Sequence, residues 1–174
     1  MISPRNFVKL KGMNIFSTLF AAATTFFVGT VSLGASVVTE PVCVVKPKVI
    51  LRKGPGLKFA ATWTVPKYMP FLRLERKSGW ARVQDFEGEI HWAPPSSLSR
   101  KINCAVIKSK TARLRQGPGL DQPIADLATV DRYMAFQKVD RDGEWIQVRD
   151  EYGARYWVNE KNVWLPVTRT SVQF

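Results

Sequence analysis

A chain of 174 residues with 45% hydrophobic residues and a formal charge of +12 has room for one ordinary domain or two small ones and can bury a core, and nothing in its composition suggests disorder. Eleven glycines and eleven prolines favour a turn-rich architecture of short elements. The charge favours anionic partners (nucleic acid, phospholipid headgroups or acidic wall polymers) without choosing among them.

Residues 1–35 carry Arg5, Lys9 and Lys11 but no acidic residue, then an apolar run from Ile15 to Leu33, then the small residues Ser32, Gly34, Ala35 and Ser36. A positive flank, a greasy middle and a small-residue exit make a secretory signal peptide. An uncleaved membrane anchor is the alternative, because the run is long enough to span a bilayer. Removal of residues 1–35 takes the charge from +12 to +9, since only those three basic residues are lost. The expected location is outside the cytoplasm, periplasmic or secreted.

The remainder repeats. Val49-Ile50-Leu51-Arg52-Lys53-Gly54-Pro55-Gly56-Leu57 returns as Ala112-Arg113-Leu114-Arg115-Gln116-Gly117-Pro118-Gly119-Leu120, an offset of 63 between Leu51 and Leu114. At an offset of 65, Tyr68 matches Tyr133, Trp80 matches Trp145, Val83 matches Val148, Asp85 matches Asp150, Gly88 matches Gly153 and Trp92 matches Trp157. Cys43 and Cys104, 61 apart, open the two copies. This is a tandem duplication, with domains expected over residues 43–98 and 104–165. In the first copy the strands are predicted at Cys43–Leu51, Thr62–Val65, Phe71–Glu75, Trp80–Val83 and Ile90–Ala93, separated by Gly, Pro and Asp turns. The fold class is all-β: two small barrels, each marginal alone and helped by docking across the short connection Ser99–Asn103. The tryptophans are expected to give each small core its mass.

The series Leu-Arg-x-Gly-Pro-Gly, Trp-x-x-Val, Asp-x-x-Gly and a final aromatic-Trp strand resembles the bacterial SH3-like (SH3b) domain family. Leu51, Arg52, Gly54, Pro55, Gly56, Trp80, Val83, Asp85, Gly88 and Trp92 carry the match once. Leu114, Arg115, Gly117, Pro118, Gly119, Trp145, Val148, Asp150, Gly153 and Trp157 carry it again. His91 and Tyr156 stand where the family usually has Gly before the final Trp. The resemblance implies a tandem SH3-like envelope protein, a binding module for peptidoglycan or partner proteins.

The two Gly-Pro-Gly segments read as turns, with glycine supplying φ > 0, and not as phosphate loops, because no Gly-Lys-Ser/Thr follows. Catalysis needs a nucleophile with its base, paired carboxylates or a metal set. His91 is the only histidine, and Cys43 and Cys104 are taken as equivalent places in the duplication. The carboxylates Asp85, Glu87, Glu89, Asp140, Asp142, Glu144, Asp150 and Glu151 fall in turns, where solvation accounts for them. No catalytic residue, metal or cofactor is therefore expected. An exported protein with two cysteines is expected to bridge Cys43 to Cys104, the alternative being two thiols packed as small hydrophobes.

The candidate ligand-binding residues are Trp63, Tyr68, Trp92, Tyr133 and Trp157, with Arg52 and Arg115. At strand spacing most aromatics are core, and those left partly exposed can stack on sugar or peptide. Lys46, Lys48, Arg52, Lys53, Lys58 and Lys67 can meet carboxylates or phosphates, or simply keep the surface solvated. The function this favours is a non-catalytic envelope module recognising peptidoglycan or another anionic wall polymer. The alternative is an adaptor for an envelope protein. Nucleic-acid binding conflicts with the export signal, and membrane contact is expected only through an uncleaved signal.

Overall fold

The computed structural model describes residues 37–171; the signal peptide expected over residues 1–35 lies outside them. The first copy runs β1 (Val37–Val44), β2 (Lys48–Arg52), β3 (Ala61–Pro66), β4 (Pro70–Lys77), β5 (Trp80–Gln84) and β6 (Ile90–Ala93), then a 3-10 turn at Pro95–Ser97 and β7 (Leu98–Ser99). The second runs β8 (Cys104–Ile107), β9 (Thr111–Arg115), β10 (Ile124–Asp131), β11 (Ala135–Asp142), β12 (Trp145–Arg149) and β13 (Arg155–Asn159), then a 3-10 turn at Glu160–Asn162 and β14 (Val163–Trp164). A final strand, β15 (Arg169–Ser171), pairs with the start of β1.

The strand orders are β3-β2-β6-β5-β4-β1 with β7 on β1, and β10-β9-β13-β12-β11-β8-β14. The two are the same topology written twice, and each sheet curls into a small antiparallel barrel. Alternation explains the curl. Val49 and Leu51 on β2, like Ala112 and Leu114 on β9, point inward while their neighbours face out, as a period of two demands. Both copies carry a bulge at the same place, between Arg73 and Glu75 and between Lys138 and Asp140, which bends β4 and β11 around the core.

The predicted continuous strand Cys43–Leu51 is broken at residues 45–47. Pro47 has no N–H to give a ladder, so the chain turns a corner there. Val45 leaves the β1–β4 pairing to donate to the Ser97 carbonyl at 2.9 Å, and Lys48 starts a new pairing with β3.

The cores are built from Phe71, Leu51, Met69, Val44 and Val83 in the first copy, and from Phe136, Leu114, Ile107, Ile146 and Val148 in the second. This corrects the expectation for the tryptophans. Of the aromatics considered, only Tyr68 and Trp92 are buried, at 7% and 9% exposed; Trp63, Trp80, Tyr133, Trp145 and Trp157 are half-buried. On β5 and β12 the inward places go to Ala81, Val83, Ile146 and Val148, so Trp80 and Trp145, next to them in sequence, face outward.

The cysteines also differ from the expectation. Tyr68 N–H donates to Val44 O and Tyr133 N–H to Ile107 O, at 2.8 and 2.9 Å, in turns where both tyrosines hold φ near +70°. Val44 therefore corresponds to Ile107, Cys43 to Val106, and Cys104 to Pro41. The pairing of Val42 with Phe71 and of Ala105 with Phe136 agrees. The cysteines are two residues out of equivalence, on the same face of β1 and β8, and form a disulfide with Cα atoms 5.9 Å apart. Around it the copies share one apolar cluster, in which Cys104, Val106 and Ala135 join Val44, Tyr68 and Phe71.

Candidate functional site

The arginines repeated in the two copies turn inward on their own loops. Arg52 donates from its guanidinium to Phe59 O at 2.7 Å, and Arg115 to Gln122 O at 2.5 Å. Lys53 N–H meets Ala60 O and Gln116 N–H meets Pro123 O, closing the same loops. Gly54, Gly117 and Gly119 do not hold positive φ, contrary to the turn reading. Gly54 is required for a different reason: a Cβ there would stand 2.4 Å from the Phe59 ring, which packs over the loop. Across the strands Trp92 lies between Arg52 and Arg82 in register, and Trp157 between Arg115 and Gln147.

On the outer face of β2, beside that row, runs a groove of about 320 Å³ lined by Lys46, Lys48, Ile50, Leu57, Trp80 and Pro94. Ile50 and Leu57 are 43% and 77% exposed. No carboxylate among the described residues pairs with Lys46, Lys48 or the nearby Lys53. The second copy is different. Thr111, Gln116 and Asp121 stand where the first has Lys48, Lys53 and Lys58. Its Lys108 and Lys161 line a cleft together with Glu144 and Glu160, and Glu160 also pairs with Arg141. The places of Lys46 and Lys48 are taken by Ser109 and Thr111 in the second copy, where Arg113 stands in the place of Ile50.

A second concavity opens where the copies meet. Its origin is the Asp-x-x-Gly turn. Asp85 Oδ1 accepts from the N–H groups of Glu87 and Glu89, both at 2.9 Å, and Asp150 Oδ1 accepts from those of Tyr152 and Ala154. Gly88 and Gly153 complete the turns at φ +92° and +98°, a region open to glycine. The other oxygen of each aspartate faces the residue before the final tryptophan. Asp150 Oδ2 accepts from Tyr156 Oη at 3.3 Å, and Asp85 Oδ2 lies 3.9 Å from His91 Nε2. His91 Nδ1 is 2.9 Å from Thr62 Oγ1. Burial raises the Asp85 carboxyl's pKa, but the nearby His91 side chain and the hydrogen bonds from the Glu89 and Glu87 N–H groups outweigh it, so the net shift is downward. This corrects the reading of Asp85 as a solvated turn residue: it is 5% exposed.

Trp63, Asp85, Glu87, Glu89, His91 and Tyr133 line this cleft, again about 320 Å³. Tyr133 reaches into it from the second copy, edge-on to Trp63 at 5.2 Å between ring centroids and 5.3 Å from Phe86. Glu87 is committed to structure, accepting from Tyr133 Oη and pairing with Arg132; the hydrogen bond to Glu87, then burial, pushes the Tyr133 phenol's pKa up. Glu89 makes no side-chain contact with any polar partner among the described residues.

Of the residues singled out from sequence, Trp63 and Tyr133 thus share the junction cleft, and Arg52 lines the basic groove while holding its loop. Tyr68 is buried, and Trp92 is covered in its row. Arg115 and Trp157 occupy the matching row of the second copy, at a distance in sequence and sheet from both concavities. Asp85, Glu89 and His91 carry the cleft's polarity and were absent from the sequence-based site. The available signal was the contrast between Glu89 and His91 in one copy and Ala154 and Tyr156 in the other.

Two small antiparallel barrels of one topology, joined in tandem and each sealed by an Arg-held Gly-Pro-Gly loop and an Asp-capped turn, define the class: a duplicated SH3-like β-barrel protein. The model of the bacterial SH3 domain matches residues 45–100 and again 108–164. The chain belongs to that family. No curated protein matches the chain. Among solved structures it is similar to NlpC2 from Trichomonas vaginalis, with 14% identity over 76% of this chain and 49% of that one and a TM-score of 0.31. NlpC1 from the same organism gives 14% identity, 76% and 46% coverage and a TM-score of 0.32. The endolysin LysPBC5 CBD gives 15% identity, 77% and 96% coverage and a TM-score of 0.31. The chain spans about half the length of the two Trichomonas proteins.

Proposed function

We propose that this protein is a non-catalytic cell-envelope module that binds peptidoglycan or another anionic wall polymer through the basic groove of its first barrel. The observation that carries the reading is the pair Lys46 and Lys48, which no carboxylate among the described residues meets, in one groove with Ile50, Leu57 and Trp80. The fold does not require those cations, since the second barrel folds with Ser109 and Thr111 in the places of Lys46 and Lys48. Lysines give point charges for carboxylate or phosphate, and the exposed apolar side chains give sugar or peptide a surface to lie on. Membership of the bacterial SH3 domain family and the signal-like segment over residues 1–35 support an extracytoplasmic setting.

The reactive side chains also favour binding over catalysis. Both cysteines are tied in the disulfide, and the single histidine faces Thr62 on one side and Asp85 on the other. The test is co-sedimentation of the purified protein with insoluble peptidoglycan. Retention is expected at low salt, with progressive release as salt screens the lysines. Protein that stays in the supernatant at every ionic strength contradicts the reading.

A further inference from the structure

The two barrels meet reciprocally, and the two sides of that contact are not alike. On one side Tyr133 reaches the Asp85 turn of the first barrel, its hydroxyl bonded to Glu87 and its ring against Trp63 and Phe86. On the other side Pro66 and Lys67 of the first barrel face the Asp150 turn of the second. There Tyr68, the counterpart of Tyr133, is buried in the shared apolar cluster. Tyr152, in the place of Glu87, is left 89% exposed. What remains is an open apolar cleft of about 270 Å³, in which Leu127 and Met134 stand partly exposed beside Tyr152. Its rim is acidic. Glu151 lines it and pairs with no cation among the described residues, and the exposed Asp126 precedes Leu127. The one cation at the edge, Lys67, lies with its ammonium over the Tyr68 ring, 4.9 Å from the centroid.

The molecule also carries a side chain of the shape and charge setting this cleft would take. Leu57 and Leu120, at the ends of the two Gly-Pro-Gly segments, are each 77% exposed. Their flanks differ: Lys53 and Lys58 beside Leu57, Gln116 and Asp121 beside Leu120. The first loop is held in shape by Arg52 on the Phe59 carbonyl and by the Phe59 ring against Gly54, so little freedom is lost when Leu57 is buried. We propose that Leu57 of one molecule seats in the Leu127–Met134–Tyr152 cleft of a second copy, with Lys53 and Lys58 meeting Glu151 and Asp126. Charge makes the choice between the two leucines, because Asp121 would bring Leu120 to the acidic rim with the same sign. Each molecule then offers one knob and one cleft on different barrels, a heterologous contact that builds rings or open chains. The inference stands independently of wall binding, although Leu57 also lines the basic groove, so that a seated copy and a wall polymer compete for it.

The test is sedimentation equilibrium of the purified protein from about 10 μM to about 1 mM, a span that reaches weak contacts made by a single anchor. The average mass is expected to rise with concentration and not to level at the dimer. Leu57→Asp and, separately, Leu127→Ala/Tyr152→Ala are expected to keep the circular-dichroism spectrum, since all three side chains are exposed. Each is expected to move association to concentrations higher by about tenfold or more, while Leu120→Asp behaves as the wild type. An equimolar mixture of the Leu57→Asp and Leu127→Ala/Tyr152→Ala proteins retains one intact knob and one intact cleft, so its association is expected to return and to stop at two copies. A wild type that stays monomeric throughout gives the cleft to a different partner and overturns the inference. Equal losses from Leu57→Asp and Leu120→Asp, or a mixture that associates no better than its components, overturn it as well.

Discussion

Asp85 is 5% exposed, and burial by itself disfavours its charge. The nearby His91 side chain and the hydrogen bonds from Glu89 and Glu87 N–H more than offset that, holding its carboxyl below the ordinary value of 3.8. The consequence for stability has a definite sign. Between the folded and unfolded values the unfolded chain binds more protons, so stability rises with pH through that window. The contribution is complete above the ordinary aspartate value and is lost as pH falls through the lower, folded one. Urea midpoints measured across the acid range are expected to fall more steeply for the wild type than for Asp85→Asn. At neutral pH the variant is expected to be less stable by about 1–3 kcal/mol, because it leaves the turn's donors poorly matched. Parallel midpoint curves for the two proteins would place the acid sensitivity on other carboxylates.

At the scale of elements, the loops after β2 and β9 look alike in sequence and differ in how tightly they are packed. In the first, a Cβ on Gly54 meets the ring of Phe59; in the second, a Cβ on Gly117 meets the Gln122 side chain at 2.5 Å. A ring held over its loop cannot give way, whereas an amide at the end of a flexible side chain can swing aside. Gly54→Ala is expected to cost about 1–3 kcal/mol by overpacking, and Gly117→Ala less than about 1 kcal/mol, in urea unfolding. Equal costs would mean that Phe59 is not pinned. The Gly-Pro-Gly motif announced both loops in the sequence, but not why glycine is needed, because the Phe59 ring packs on Gly54 within a loop that also brings the Phe59 carbonyl to Arg52. Similarly, the period of two located β5 and β12 but not which side of each faces the core. Small residues, Ala81 and Val83, took the inside and turned Trp80 outward.

Across the whole molecule, the duplication and the barrel topology were legible because matched residues recur in order, and turn chemistry marks every strand end. The departures from symmetry were harder to read. Cys43 and Cys104 invite pairing as equivalents, yet only the tyrosine turns and the strand register show that they stand two residues apart. Their bridge, spanning 61 residues, is worth roughly 4 kcal/mol in the chain-entropy model, and it fixes the first strands of two barrels that share one apolar cluster. The acidic cleft was hidden for the same reason: Trp63 and Tyr133 belong to different copies, and only docking brings them together.

Charge is divided between the copies just as unevenly, and this gives the most direct test of the proposed function. Peptidoglycan co-sedimentation is measured for Lys46→Ala/Lys48→Ala/Lys53→Ala and for Lys108→Ala/Lys110→Ala/Lys161→Ala, which remove equal charge from the first and second barrels. The first variant is expected to lose retention by about tenfold or more, as charge-assisted contacts are removed, while the second stays close to wild type. Equal losses from both would show that net charge alone holds the protein to the wall, and that the groove of the first barrel is not a site.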